Sequence, residues 1–142
     1  MTLEEIQIMA DKDLKINDVE LDIESLKTPQ LHNKYSKYHT KYKNLLKVAE
    51  QDLARIVREK WEYYTGKADP SVYQEKPFNL KVLRQDVDKY IKSDSDVNKL
   101  EQKVTYIETT VDYLEKTLKI ISNRTFTIKN AIDWKKFTSG VI

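Results

Sequence analysis

The chain has 142 residues, of which 34% are charged and 39% hydrophobic, with a formal net charge of +2, two glycines, three prolines and no cysteine. A chain of this length buries roughly two thirds of its unfolded surface, which suffices for one small core. The absence of cysteine excludes disulfides and thiolate chemistry, and the scarcity of glycine argues against an all-β fold. No apolar run approaches the ~18 residues of a membrane span, and the acidic N-terminus does not resemble a signal peptide. We therefore expect a cytosolic protein that makes no membrane contact.

The N-terminal segment predicts two short helices. Thr2 and Glu5 have the spacing of a capping box, and apolar residues recur at helical intervals as far as Ala10. Residues 13–18 fit a brief extended stretch as well as a turn. Apolar residues at helical intervals over 19–26 then indicate a second short helix.

A long third helix is predicted over 28–65. Thr28 and Pro29 have the N-cap and N1 pattern that opens a helix, and no helix breaker follows before Gly66. Aromatic or apolar residues recur every seven positions along one face, at Tyr35, Tyr42, Ala49, Ile56 and Tyr63. A helix of this length needs packing partners along most of its face, because helix propensity alone does not stabilise it in water.

Loop chemistry is concentrated between Thr65 and Asn79, where Gly66, Pro70 and Pro77 occur. We predict a loop over 67–79. A further helix is predicted from Leu80 to Ile91, and it ends near the potential caps of residues 93–96.

The clearest helical pattern follows. Apolar residues are spaced alternately three and four positions apart over four heptads, and together they form one apolar stripe, here called the seam. Its apolar positions are Val97, Leu100, Val104, Ile107, Val111, Leu114, Leu118 and Ile121. The mixture of Val, Leu and Ile does not determine whether this seam packs within the chain or between subunits. Residues 124–129 fit a short strand or a continued helix, and we favour the helix.

The charges are strongly polarised, although the net charge is small. Residues 1–26 contain eight acidic residues and two lysines, whereas residues 27–49 contain six lysines and no acidic residue. The first segment, here called the acidic arm, could cover the basic segment or meet a basic partner.

The basic segment carries residue types typical of single-strand binding. Lys34, Lys37 and Lys41 share a helix face, Lys43 and Lys47 follow, and tyrosines are interleaved with them. Cations bind phosphates and aromatic rings stack on bases. A solvated lysine face with tyrosines in the core explains the same pattern equally well. A second basic and aromatic cluster lies near the end of the long helix, where Arg55, Arg58, Lys60 and Lys67 surround the aromatic run Trp61, Tyr63 and Tyr64. All of these residues except Trp61 belong to the predicted DNA-binding set.

No catalytic constellation is present in the sequence. The two histidines, His32 and His39, lie two helical turns apart, about 10 Å, which is too far for a shared metal ion without other ligands. With two glycines in the chain there is no phosphate-binding loop, and the carboxylates are scattered. We expect no enzyme activity, no metal and no cofactor.

Two motifs resemble a known family. Residues 58–66 follow a basic-x-basic-x-acidic-Tyr-Tyr-Ser/Thr-Gly signature, and Arg124, Phe126, Ile128 and Lys129 resemble the C-terminal end of the same proteins. The chain is thus similar to the UvsY-type recombination mediators of T-even-like bacteriophages, in length and in the order of its motifs.

The resemblance implies a specific function. Members bind single-stranded DNA covered by the phage single-strand binding protein and load a RecA-like recombinase in phage homologous recombination, replication and repair. The family's DNA-binding Lys-x-Arg pair falls on Arg58 and Lys60, with the order exchanged and Glu59 between them. Location in the cytoplasm of the infected bacterial host is also implied.

The predicted helices indicate an all-α fold of long amphipathic helices, and the resemblance implies that this fold assembles into a hexameric or heptameric ring. It favours the seam as the subunit interface, through Val104, Ile107, Val111, Leu114, Leu118 and Ile121. We accordingly predict an N-terminal DNA-binding part over 1–66, a loop over 67–79 and an oligomerisation part over 80–142. The alternative is a non-enzymatic helical scaffold that binds no DNA.

Overall fold

The structure, a computed structural model, describes residues 1–140, and within that range it contains no strand. Its helices are α1 (Leu3–Asp13), α2 (Leu21–Tyr64), α3 (Pro70–Glu75), α4 (Val87–Lys92) and α5 (Ser95–Thr138), with a 3₁₀ turn at Arg84–Asp86. The predicted all-α class is confirmed. None of these helices is long and apolar enough to cross a membrane. The last two residues of the predicted C-terminal part, 141 and 142, lie outside the described residues.

The N-terminal helix α1 begins with the predicted capping box. The Thr2 hydroxyl accepts from the Glu5 backbone N–H at 3.1 Å, and the Glu5 carboxylate accepts from the Thr2 N–H at 3.2 Å. Beyond α1, the Asn17 side chain accepts from the Val19 N–H at 3.0 Å. This Asx-type bond makes the segment after α1 a turn rather than a strand.

The predicted break before Thr28 is wrong, because α2 begins at Leu21 and continues through Pro29. Proline lacks the N–H that would bond the carbonyl four residues earlier, and its ring crowds that carbonyl. In the turn before Pro29, the Arg124 guanidinium donates to the carbonyl and carboxylate of Glu24 and, at 3.0 Å, to the Thr28 hydroxyl. These long-range bonds support α2 where the local pattern predicted its start.

Two predictions in the central region are also wrong. The predicted loop over 67–79 contains helix α3, whose N-cap Asp69 accepts from the Ser71 N–H at 3.0 Å and whose first residue is Pro70. The helix predicted from Leu80 begins only after Leu83, with the 3₁₀ turn followed by α4. Both leucines are more than 60% exposed, so their helical spacing does not correspond to a buried face. The helix favoured over 124–129 is confirmed within α5.

Packing divides the chain into two compact units, which we describe separately. The terminal unit contains residues 1–42 and the chain from Thr109 onward, and the middle unit contains residues 43–108. Helices α2 and α5 each contribute residues to both units. The functional division predicted at residues 66 and 79 stays a prediction.

In the terminal unit, α1 and α5 are tied to α2 by polar side chains. The Tyr35 hydroxyl donates to Asp13 of α1 at 2.8 Å, and the Tyr42 hydroxyl donates to the Met1 carbonyl at 2.5 Å. Arg124 pairs with Glu24, and Glu115 lies 3.1 Å from His39, so α2 and α5 are antiparallel in this unit. Its buried apolar side chains include Ile6, Ala10, Tyr35, Leu114, Ile121 and Ile128.

The middle unit has a small core around α4 and the start of α5. Val87, Ile91 and Val97 are buried there. Partly buried apolar residues pack against them, namely Leu53, Ile56, Val57, Tyr64 and Val82. The end of α2 is thereby held against α4 and the beginning of α5.

The heptad seam of α5 is buried within a single chain. Val104 and Ile107 are buried in the middle unit, Val111, Leu114 and Ile121 are buried in the terminal unit, and Leu118 is half-buried. Intrachain packing therefore accounts for the seam's apolar pattern. Its role as a subunit interface stays a prediction.

Replacing Arg124 by Ala should lower the free energy of unfolding, because it leaves the buried Glu24 carboxylate without its guanidinium partner. Breaking a buried ion pair typically costs about 3–5 kcal/mol. We expect the lower end, about 3 kcal/mol, since Lys27 still contacts Glu24 at 2.9 Å. Urea unfolding followed by circular dichroism measures the change. Lys129→Ala, at an exposed position of the same helix, is the control, and equal stability of the two variants would contradict the role given to Arg124.

Candidate nucleic-acid interface

The helical period separates Arg58 and Lys60, the two residues that the family motif pairs. Residues two apart on an α-helix project about 200° away from each other. Arg58 is exposed, whereas the Lys60 side chain is 14% exposed. The structure therefore does not bring the two cations to one surface.

Lys60 faces the beginning of α5, where it meets two carboxylates. Its Nζ lies 2.9 Å from Asp96 and 3.4 Å from Asp94. Asp94 also accepts a bond from the Tyr64 hydroxyl at 2.6 Å and caps α5 by accepting from the N–H groups of Asp96 and Val97. Lys60 and Tyr64 thus fasten the last turns of α2 to the first turn of α5.

The pKa values in this network move in the directions that stabilise the ion pairs. Burial alone would lower the pKa of Lys60, but the carboxylates of Asp96 and Asp94 outweigh it and raise the pKa above its usual value. Burial alone would raise the pKa of Asp94, but bonds from Tyr64 and Val97 and the Lys60 charge lower it. The bond from Lys60 lowers the pKa of Asp96. All three groups are therefore charged at neutral pH.

Tyr63 and Tyr64, the predicted stacking residues, belong to an aromatic cluster inside the middle unit. The Tyr63 ring stacks on Tyr73 with centroids 5.4 Å apart, and its hydroxyl donates to the Lys76 carbonyl at 3.0 Å. The Tyr64 ring meets Phe78 edge-on at 5.2 Å. Both tyrosines are half-buried packing residues in this structure.

The opposite side of α2 in the middle unit forms an exposed basic face. Lys43, Lys47, Arg58 and Trp61 are spaced by four, eleven and three residues, intervals that return to one side of a helix. All four are exposed, and none of the three cations pairs with a described carboxylate. Arg55 lies at the edge of the face and contacts Asp52 at 3.3 Å.

A helix C-cap places a further cation over the tryptophan. Gly66 adopts a φ of 79°, its N–H bonds the Tyr63 carbonyl at 3.3 Å, and the Lys67 N–H bonds the Glu62 carbonyl at 2.8 Å. This pattern is a Schellman motif, which turns the chain back over the last helical turn. The Lys67 ammonium consequently lies 4.6 Å from the centroid of the Trp61 ring.

The terminal unit exposes a second set of lysines on α2. Lys34 is engaged by the acidic arm, at 2.6 Å from Asp13, whereas Lys37 and Lys41 are exposed. Burial alone would raise the pKa of Asp13, but the bonds from Lys34 and Tyr35 outweigh it and lower that pKa. A shallow surface groove is lined by Gln30, Asn33, Lys34, Lys37, Tyr38 and Lys41.

The residues predicted to bind DNA thus fall into two groups, those exposed to solvent and those engaged in contacts within the fold. The exposed members are Lys37, Lys41, Lys43, Lys47, Arg55, Arg58 and Lys67, and the members engaged within the fold are Lys34, Lys60, Tyr63 and Tyr64. The prediction omitted Trp61. Its spacing of three residues from Arg58 and five from Gly66 was the available signal, since it places a large aromatic ring on the basic face.

Together these features define an all-α protein in which α2, one of two 44-residue helices, presents cations and an exposed tryptophan to solvent. The family model described as recombination, repair and ssDNA binding protein UvsY matches residues 9–141. The chain therefore belongs to the UvsY family, and the predicted family is confirmed.

Relatives share the fold at low sequence identity. The recombination protein uvsY of Enterobacteria phage T4 is 24% identical over 140 residues, which cover 99% of each chain. A crystal structure of the bacteriophage T4 recombination mediator protein UvsY aligns with a TM-score of 0.86 at 24% identity, over 98% of each chain. Another crystal form gives 0.84 at 22% identity, over 94% of this chain and 98% of the other.

The lowered pKa values of Asp94 and Asp96 predict that acid destabilises the middle unit. A carboxyl with a lower pKa in the fold stabilises it above the unfolded pKa near 4, and this contribution is lost as the pH falls through the folded pKa. We expect Asp94→Asn to be less stable than the native chain at pH 7 and to lose less stability between pH 5 and pH 2. Urea unfolding over this pH series measures both effects. Asp88→Asn, at an exposed position, is the control, and an unchanged pH dependence in Asp94→Asn would contradict the prediction.

Proposed function

We propose that this protein is a recombination mediator that binds single-stranded DNA through the exposed basic face of α2. The observation that supports it best is the group of exposed cations Lys43, Lys47 and Arg58, which have no described carboxylate partner and share a face with Trp61. Lys37 and Lys41 of the terminal unit are a second set of contacts. Lys60 supports the fold of the middle unit rather than contacting phosphate.

Exposed cations of this kind bind a strand by charge and with little sequence preference. Each phosphate contact is weak at physiological salt, because solvent and ions screen it. Repetition around an oligomer raises the overall affinity, since the second and later contacts form at high effective concentration. A ring that repeats the basic face would therefore hold a strand with contacts that are individually weak.

The finer function that we propose is the loading of a RecA-like recombinase onto strands covered by the phage single-strand binding protein. This role serves phage homologous recombination, replication and repair in the cytoplasm of the infected host. Membership of the UvsY family supports it, as does the fold shared with the T4 recombination mediator. The protein acts by binding and not by catalysis.

We further propose that the chain assembles into a hexameric or heptameric ring. The seam residues pack within one chain. This packing holds α5 in place, so that its exposed side can contact another copy. Exposed apolar side chains on α5 then offer contacts between copies, because Phe126, Trp134 and Phe137 are 65–71% exposed and the last two stack at 5.8 Å.

Arg58→Ala should weaken the binding of a fluorescein-labelled oligo(dT) and make it less sensitive to salt. Removing one cation that binds a phosphate of a single strand lowers the slope of log affinity against log salt by about 0.7. Fluorescence anisotropy over a range of NaCl concentrations measures this slope per binding site.

Lys103→Ala is the matched control, since it removes an exposed lysine from α5 of the same unit. A slope for Arg58→Ala equal to that of the control would remove Arg58 from the interface. If the native chain bound no oligonucleotide at low salt, the scaffold alternative would replace the proposed function.

The loading function predicts faster assembly of recombinase on covered DNA. With single-stranded DNA saturated by the phage single-strand binding protein, recombinase ATPase activity should begin after a lag. The native chain should shorten this lag, and Arg58→Ala should shorten it less. If the native chain bound bare DNA but left the lag unchanged, DNA binding would stand and the loading function would be wrong.

A further inference from the structure

We infer that Trp61 is a base-stacking platform for single-stranded DNA, on which a base replaces the Lys67 ammonium. The inference rests on the proposed function and adds a base contact to the phosphate contacts of the same face. Its geometric basis is the juxtaposition of an exposed indole, a cation above the ring and a second cation one helical turn away.

Trp61 is exposed although its neighbours offer it an apolar environment. The adjacent aromatic cluster buries Tyr63 and Tyr64 in part, whereas Trp61, three residues before Tyr64, is 41% exposed. Its partner is the Lys67 ammonium, 4.6 Å from the ring centroid. A large indole directed toward cations and solvent is a suitable surface for a planar ligand that carries a nearby negative charge.

The Schellman motif gives the site a fixed half and a movable half. The indole is anchored on the last full turn of α2, and Gly66 fixes the course of the backbone with its positive φ. The Lys67 side chain extends from that turn on a flexible stem, and a cation–π contact at an exposed position is weak. Lys67 can therefore leave the ring for a phosphate of the strand, and a base of the same strand then occupies the ring face.

The surrounding charge favours a nucleotide over other planar ligands. Arg58 lies three residues before Trp61, which places the two side chains on neighbouring turns of one face. A nucleotide has an aromatic base for the indole and phosphates for Lys67 and Arg58. Every base has a π face, so the site would hold any sequence.

The experiment compares oligo(dT) with an abasic oligonucleotide of the same length, which keeps the phosphates and lacks the bases. Trp61→Ala should bind oligo(dT) about fivefold to a hundredfold more weakly, as expected when one stacked base per site is no longer held. It should bind the abasic strand as the native chain does, and its salt slope should be unchanged because all the phosphate-binding cations remain. Trp61→Phe, which retains an aromatic ring, should recover most of the affinity for oligo(dT).

Intrinsic fluorescence gives a second, direct readout. In a Trp134→Phe background Trp61 is the one tryptophan left. The change keeps an aromatic ring at a position that we propose to contact a second copy, and sedimentation of the variant beside the native chain verifies that assembly is retained. Oligo(dT) should quench this fluorescence, whereas the abasic strand should quench it much less. Thermal unfolding of each variant verifies that the fold is retained.

The outcomes separate this inference from the function on which it rests. Unchanged affinity of Trp61→Ala for oligo(dT), or an equal reduction in affinity for both strands, would overturn base stacking while DNA binding stands. Failure of the native chain to bind either strand would overturn the proposed function itself.

Discussion

The helical period at the end of α2 decides what each side chain there can do. Within residues 58–64, Lys60 and Tyr64 turn toward the beginning of α5, and Arg58 and Trp61 turn toward solvent. The inward contacts fix the rotation of the helix about its axis, because Asp94 binds Lys60, Tyr64 and the first N–H groups of α5 at once. A fixed rotation keeps the outward pair exposed. The ion pairs of Lys60 therefore support the basic face although they do not belong to it.

The end of the same helix adds the remaining group. Gly66 ends α2 with a positive φ, and a residue with a side chain would be strained there. The reversal brings Lys67 over Trp61, so one backbone feature both ends the helix and completes a cation–aromatic pair. The aromatic rings near the end of α2 therefore have different partners. Tyr63 and Tyr64 pack against other rings, whereas Trp61 contacts the Lys67 ammonium.

Local patterns in the sequence predicted the helical class, the capping box at Thr2 and the continuous α5, because these features depend on residues a few positions apart. Two of the wrong predictions involve residues far apart in the chain. The helix continues through Pro29 with the support of Arg124, which no pattern near Pro29 contains. Likewise, the sequence identified Lys60 as a cation but could not show that Asp94 and Asp96 engage it. Composition could predict a basic helix, and only the fold could separate its exposed cations from its engaged ones.

The acidic arm shows the same division between engaged and exposed residues. It affects which lysines are available to bind DNA. Asp13 is bound to Lys34 and Tyr35, and Glu24 to Arg124 and Lys27, so these carboxylates serve the fold of the terminal unit. They leave Lys37 and Lys41 exposed, just as Lys43, Lys47 and Arg58 are exposed in the middle unit. Interactions made by such cations are screened and individually weak. Weak repeated interactions suit the proposed mediator, because a strand held by many of them can be transferred to the recombinase one phosphate at a time.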